Sequence, residues 1–145
     1  MSAALLDVNV LLALFDSGHV HHEQAHAWFR AASHRPWATC PASLNGCLRI
    51  FSQFGYANTR TPALAARMLH QGLDHPQHEF WPDSVSVLDD SLFCLEEAAS
   101  GRQISDIYLL GLAVRRGGHL VTFDRSIPLK AVLGSKPSHL KILRS

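Results

Sequence analysis

The sequence has no apolar run long enough to cross a membrane, which takes about 18 residues. Its first ten residues carry no basic segment before the apolar stretch and no clear small-residue cleavage site, so a secretory signal is not expected. Cys40, Cys47 and Cys94 form an odd set without a CxxC pair, which argues against a disulfide framework. Together these absences favour a cytoplasmic protein that is not attached to a membrane.

Apolar residues are plentiful: 47% of the 145 residues are hydrophobic and 17% are charged, enough for one domain over residues 1–145 with its own core. The net charge is only +1, but the charges are segregated. Residues 74–106 contain eight acids and one base, whereas the chain from Arg115 onward contains seven bases and one acid, Asp124. Such a basic segment can follow a phosphate backbone or an acidic partner, and ordinary solvated surface explains it equally well.

Strand-like and helix-like segments alternate along the chain. Short apolar runs predict strands over residues 3–6, 36–40, 78–82, 119–123 and 139–143. Helical spacing predicts helices over residues 9–15, 22–32, 41–52, 62–73 and 106–116, with further acidic loop and helix material after the third strand. Ser105 is predicted to cap the last helix and Gly117-Gly118 to end it. The alternation indicates an α/β fold, a three-layer α/β/α sandwich with a mostly parallel sheet.

Three aspartates fall at one edge of the predicted sheet. Asp7 directly follows the first strand and Asp124 follows the strand ending in "HLVTF", so both lie at carboxyl ends, where open parallel sheets bind ligands. Asp106 occupies the first turn of a helix, where the helix dipole favours an anion. Each has a plain structural explanation: Asp7 or Asn9 caps a helix, Asp106 is a first-turn acid, and Asp124 opens a turn.

Taken together, the three carboxylates predict a metal site. Clustered carboxylates repel one another, and one of them would take up a proton unless a cation neutralised the group. Mg²⁺ suits such a site because it takes one or two carboxylates and keeps several waters. The site would then support metal-assisted hydrolysis of a phosphodiester bond. A phosphotransferase with Asp7 as nucleophile is disfavoured, because "DVN" lacks the second acid that this mechanism needs.

Five stretches in order along the chain resemble a PIN-domain protein of the VapC type, the toxin of bacterial toxin–antitoxin pairs. They read "LLDVNVLLAL", "HHEQAHAWF", "ATCPASLNGCLRIFS", "FWPDSVSVL" and "QISDIYLLGLAVRRGGHLVTFDRSI". The resemblance implies an endoribonuclease that uses Mg²⁺ or Mn²⁺, forms a homodimer and is inhibited by a cognate antitoxin. It also implies that Asp7, Asp106 and Asp124 bind the metal, that Asn9 supports Asp7, and that Thr122 and Arg125 contact RNA phosphate or metal-bound water.

One position departs from the family pattern. Relatives carry an acid immediately before "NG" in the helix after the second strand, and here Leu44 fills that position. Leucine cannot bind a metal or accept a proton, so we expect weaker metal binding and slower cleavage, and we expect Leu44→Glu to raise Mn²⁺ affinity or rate. Asp83 is a distant substitute for the missing acid. The alternative function is therefore a catalytically impaired PIN domain that binds RNA or antitoxin without efficient turnover.

Two further features have competing explanations. His22 and His26 are four residues apart, a spacing that can hold zinc, but no convincing further ligands complete the set. Helix surface and local packing are the favoured explanation for these histidines. Tyr108 fits either a dimer interface or the core.

Overall fold

In a computed structural model that describes residues 2–32 and 34–144, a five-stranded sheet forms the centre of the molecule. The strands follow the order β3-β2-β1-β4-β5, and every neighbouring pair is parallel. Their bounds are β1 Ala4–Leu6, β2 Trp37–Thr39, β3 His78–Phe80, β4 His119–Thr122 and β5 Leu140–Ile142. The predicted parallel sheet is confirmed, with strands one or two residues shorter than their apolar runs.

Five α-helices cover the two faces of the sheet. They are α1 Val8–Phe15, α2 His22–Ala32, α3 Pro41–Phe51, α4 Pro62–Leu73 and α5 Ile104–Arg115. Alternate residues of β1 point to opposite faces, as the pleat requires. Leu5 enters an apolar cluster with α5, and Ala4 and Leu6 enter a second cluster with α1, α3 and α4. The predicted three-layer sandwich is therefore confirmed, and no helix of the described residues is long and apolar enough to span a membrane.

The start of α5 differs from the prediction. Ser105 does not cap it: the helix begins at Ile104, its cap position is Gln103, and Ser105 lies inside the first turn. The reason is a short 3₁₀ turn over Gly101–Gln103, which continues into α5 without an extended residue between them. The helical structure predicted in the acidic segment after β3 is limited to two 3₁₀ turns, Leu95–Glu97 and Gly101–Gln103. The end of α5 agrees with the prediction, since Gly117 has a φ of 70°, the left-handed conformation that glycine adopts after a helix.

Two histidines hold the carboxyl end of α1. The last carbonyls of a helix have no partner within it. His22 Nδ1 lies 2.7 Å from the Ala13 carbonyl oxygen and His26 Nε2 lies 3.0 Å from that of Leu14, so both rings donate to these free carbonyls. The i,i+4 spacing of His22 and His26 therefore lets both side chains bond to the end of α1 and pack α2 against it. Asp7 stands at the other end of α1, as its N-cap residue.

Asp16 links the same end of α1 to the segment before α4. Its side chain is buried, yet it accepts hydrogen bonds from the Tyr56 hydroxyl at 2.6 Å, the Gly18 amide at 3.0 Å and the Asn58 side chain. Burial alone would raise the pKa of Asp16, but the bonds from Tyr56, Asn58 and Gly18 outweigh it and bring the pKa below its usual value. The carboxylate is thus a folding anchor.

We expect Asp16→Ala to lower the free energy of unfolding by about 2–3 kcal/mol at pH 7, because three donors lose a charged partner. The lowered pKa means that this stability is present above the unfolded-state pKa of about 3.9 and is lost as pH falls through the folded-state value. Urea denaturation at pH 7 and pH 3 should therefore show a difference from wild type that shrinks at pH 3. The control is Asp74→Ala, an exposed residue; an equal loss in both variants would contradict the anchor role.

Candidate active site

Asp7 and Asp124 follow two strands that lie side by side in the middle of the sheet. Asp7 comes directly after β1, and Asp124 stands two residues beyond β4. β1 pairs with β2 on one side and with β4 on the other, so the chain changes direction across the sheet at this point. Such a switch point opens a crevice beyond the carboxyl ends of the strands. Both aspartates lie at that edge, as the sequence predicts.

Asp7 is a buried carboxylate, only 2% exposed, with two donors of its own. Oδ1 accepts from the Val8 amide at 2.7 Å, and Asp7 is the N-cap residue of α1. Oδ2 accepts from the Thr122 hydroxyl at 2.7 Å. Helix capping and metal binding are therefore compatible explanations of Asp7, because capping α1 holds the carboxylate at the edge of the sheet.

Thr122 connects the two strand ends. It is fully buried, and its hydroxyl donates to Asp7 while accepting from the Asp124 amide at 3.0 Å and from Asn9 Nδ2 at 3.3 Å. One donor and two lone pairs are all that a hydroxyl has, so its hydrogen-bonding capacity is used within the site. Asn9 also accepts from the Phe123 amide at 3.2 Å. The structure gives Thr122 and Asn9 a positioning role.

Asp124 and Asp106 complete the set. Asp124 Oδ1 accepts from the amide and the hydroxyl of Ser126, at 2.8 and 2.7 Å. Burial raises the pKa of Asp124, but the two Ser126 bonds outweigh it and the pKa falls below its usual value. Asp106 is the third residue of α5, where the dipole favours an anion. Its protonated carboxyl group can donate a hydrogen bond to the side chains of Asp124 and Asp7, which favours the protonated form of Asp106.

The three carboxyl groups are electrostatically linked. Burial, together with the negative charges of Asp7 and Asp124, raises the pKa of Asp106 to about 7. Burial also raises the pKa of Asp7, partly opposed by the donors Thr122 and Val8. These shifts mark a site that lacks positive charge.

A divalent cation fits the chemistry of these groups. Within the described residues the only ion pair joins Arg115 to Asp89 at 3.7 Å, so no lysine or arginine neutralises the three aspartates. The same residues hold no group of three or more His, Cys, Asp or Glu side chains that could hold a metal ion, so the three aspartates do not form a preformed set of ligands. A closed site of the structural zinc type is therefore absent from them. Mg²⁺ needs no such cage, since it takes one or two carboxylates and completes its shell with water and substrate oxygens.

A groove of about 660 Å³ leads away from Asp106. One wall is the start of α5 and the segment around Val85, and the opposite wall is α3. From α3 the groove is lined by Ala42, Gly46, Arg49 and Ile50. At Gly46 an added Cβ would lie 2.8 Å from a Val8 methyl group, so glycine permits the close approach of α3 to the start of α1.

Leu44 is not on the groove-lining face of α3. It is partly buried, and helix geometry turns it about 200° from Ala42. The positions of α3 that face the groove are thus 42, 46, 49 and 50, and none is an acid. The family pattern marks position 44 because it directly precedes "NG" in the sequence. Access to the groove depends instead on which face of α3 a side chain occupies.

Two other predicted residues lie near the site without a bond to the aspartates. Asp83 lines the same groove as Asp106, and its Oδ1 accepts from the Tyr108 hydroxyl at 2.8 Å. Tyr108 also packs partly against the core on the α5 face. Arg125 is exposed, and its side chain forms no ion pair with a described residue. The sequence did not single out Arg49 or Ser126, because isolated arginine and serine residues carry no distinctive pattern.

Comparison with known proteins identifies the family of this chain. Residues 4–133 match the PIN domain family. Ribonuclease VapC44 of Mycobacterium tuberculosis is 45% identical over 140 residues, covering 97% of this chain and 99% of the relative. Ribonuclease VapC39 of the same organism is 40% identical over 132 residues, covering 90% and 95%.

Two solved structures share the fold at low sequence identity. The crystal structure of VapBC2 from Rickettsia felis bound to a promoter DNA fragment aligns with a TM-score of 0.62 at 15% identity, over 98% of this chain and 99% of that chain. Mycobacterium tuberculosis VapC20, a toxin that cleaves the sarcin-ricin loop, aligns with a TM-score of 0.60 at 14% identity, over 93% and 100%. The chain therefore belongs to the PIN-domain family and, within it, to the VapC proteins.

Proposed function

We propose that this protein is the endoribonuclease toxin of a toxin–antitoxin pair and that it cleaves RNA with Mg²⁺ or Mn²⁺ held by Asp7, Asp106 and Asp124. The observation that carries the proposal is the set of three linked aspartates at the sheet edge, without a neutralising cation from the described residues. The ribonuclease names of VapC44 and VapC39 support the reaction class.

The protein groups in this proposal have distinct tasks. Thr122 and the Val8 amide orient Asp7 and favour its charged form, and Ser126 does the same for Asp124. Asp106 stands where the groove meets the other acids. Bound Mg²⁺ or Mn²⁺ would supply an activated water and offset negative charge on the phosphate. Arg125, exposed beside Asp124, is proposed to bind an RNA phosphate.

The proposed partners are an RNA substrate, a cognate antitoxin protein and a second copy of the chain. The VapBC2 structure contains a toxin of this fold together with its antitoxin, which supports the antitoxin. The homodimer follows from the resemblance to VapC proteins, and light scattering on the purified protein at several concentrations would test it. A monomer at all concentrations would exclude the dimer without affecting the metal site.

The direct test is cleavage of a labelled, structured RNA by the purified protein in Mg²⁺, in Mn²⁺ and in EDTA. We expect cutting in either metal and none in EDTA, because the aspartates alone leave the phosphate charge without compensation. Restoring the metal after EDTA should restore cleavage. Undiminished cutting in EDTA would contradict the metal site, and binding of RNA without cutting in any metal would favour the impaired PIN domain.

One observation supports the alternative function, a catalytically impaired PIN domain: the groove-facing surface of α3 carries no acidic side chain. We expect Ala42→Glu, at an exposed position lining the groove, to raise Mn²⁺ affinity about 3-fold or more, since it adds a carboxylate on the Asp106 side. Leu44→Glu is the comparison variant, because the family pattern places the missing acid at position 44 and predicts the gain there instead. Calorimetric titration with Mn²⁺ measures both. A gain in Leu44→Glu alone would restore the sequence-based assignment of position 44.

A further inference from the structure

A second cavity lies at the opposite edge of the sheet. It has a volume of about 450 Å³ and is bounded by α2, by the amino ends of β1, β2, β4 and β5, and by the 3₁₀ turn before β5. Its strand residues include Ala4, Trp37, His119 and Leu140, each the first residue of its strand. Strands of three or four residues separate it from the three aspartates, which is about 10 Å at 3.3 Å per residue. The cavity is therefore distinct from the candidate active site.

Positive charge converges on this cavity without acidic neighbours. Arg35, His119 and Lys141 line it, and no acid of the described residues does. Burial lowers the pKa of His119, and the charges of His139, Arg35 and Lys141 lower it further. His119 is therefore neutral near pH 7, and the positive charge of the cavity comes from Arg35 and Lys141. Since neither has an ion-pair partner among the described residues, the cavity attracts an anion.

Aromatic side chains form the other part of the wall. Trp28 and Phe29 of α2 are partly buried and line the cavity together with Trp37. Phe29 packs edge-on against Trp37 with ring centroids 5.3 Å apart, and Trp37 Nε1 donates to His75 Nδ1 at 3.3 Å. These contacts fix the rings in place. A flat heteroaromatic group can therefore pack against them without reorganising the core.

We propose that this cavity binds a nucleotide, with its phosphate at Arg35 and Lys141 and its base against the Trp28 side of the wall. The volume lies within the range of small-ligand sites. A guanidinium and an ammonium are the side chains that bind phosphate most strongly, and aromatic rings stack with any base. This cavity contains none of the three aspartates, so the nucleotide-binding proposal can be tested independently of the proposed nuclease activity.

Intrinsic fluorescence tests the proposal, because two of the three tryptophans, Trp28 and Trp37, line the cavity. AMP should quench the emission saturably, and adenosine, which lacks the phosphate, should bind at least about 10-fold more weakly. The double variant Arg35→Ala/Lys141→Ala should lose about 10-fold or more in AMP affinity, while Lys130→Ala, an exposed lysine outside the cavity, should bind as wild type does. Circular dichroism confirms that the variants are folded.

The source of the nucleotide is settled by competition with a 5′-phosphorylated 2′-O-methyl RNA oligonucleotide in EDTA. Displacement of AMP by the oligonucleotide would show that the cavity takes a nucleotide of an RNA strand, and AMP binding without displacement would show a site for free nucleotides. Either result supports the proposal. Absence of saturable quenching by AMP, equal binding of adenosine, or an equal loss in Lys130→Ala would overturn it.

Discussion

Asp106→Asn is expected to abolish RNA cleavage and, at the same time, to stabilise the metal-free protein. The loss of cleavage should reach about 100-fold or more, because the variant removes one of the three carboxylates of the proposed metal site, at the junction of the groove and the other acids. The gain in stability follows from the pKa of about 7, which shows that burial and the charges of Asp7 and Asp124 disfavour this carboxylate. A neutral amide removes the repulsion and should add about 1 kcal/mol, or roughly 3 °C in Tm.

Thermal melting in EDTA and in Mg²⁺, beside the cleavage assay, measures both effects. Wild type should gain Tm from Mg²⁺, whereas Asp106→Asn should start higher and gain less, since it binds the ion more weakly. Asp90→Asn is the matched control, an exposed aspartate that should change neither property. Unchanged cleavage by Asp106→Asn would exclude Asp106 from the metal site. A lower Tm in EDTA would show that its carboxylate supports the fold.

Thr122→Val should be almost as damaging although it changes only a hydroxyl to a methyl group. Asp7 would lose one of its two donors, and the Asp124 amide and the Asn9 amide group would lose their acceptor. Buried polar groups without partners are costly, so we expect a loss of about 2–3 kcal/mol in the free energy of unfolding and at least a 10-fold loss of cleavage.

Thr122→Ser provides the informative comparison because it keeps the hydroxyl and removes only the methyl group. Thr122→Ser should retain most of the activity. If the Thr122 side chain only filled space, valine at this position would be tolerated better than serine. Urea denaturation and initial cleavage rates at saturating RNA distinguish these cases. Equal activity in the valine variant and in wild type would contradict the positioning role of the Thr122 hydroxyl.

Much of this architecture is predictable from the sequence, for physical reasons visible in particular elements. β1 consists of apolar residues because it is buried on both faces, and Asp7 stands out because a charge follows such a strand directly. The end of α5 is equally clear from Gly117. Strand ends, helix ends and isolated charges are local features, so a single sequence reveals them.

Features that depend on three-dimensional surroundings are not predictable in this way. Ser105 is a good capping residue, but the 3₁₀ turn before it moves the helix start to Ile104. Leu44 occupies a position that the family pattern marks, yet the face of α3 that reaches the groove carries Ala42 and Gly46. The exhausted hydrogen-bonding capacity of Thr122 is likewise invisible in the sequence, because its partners come from residues 7, 9 and 124.

The bond between Thr122 and Asp7 spans 115 positions of the chain, and this has a consequence for synthesis. The amino-terminal part of a protein leaves the ribosome first, and contacts between distant residues form only after both partners have emerged. Asp7 is made early, but β4, Thr122 and Asp124 come from the last quarter of the chain. A growing polypeptide therefore carries no assembled aspartate site until its synthesis is nearly finished, and under the proposed function this keeps the nascent chain from cutting the RNA that encodes it.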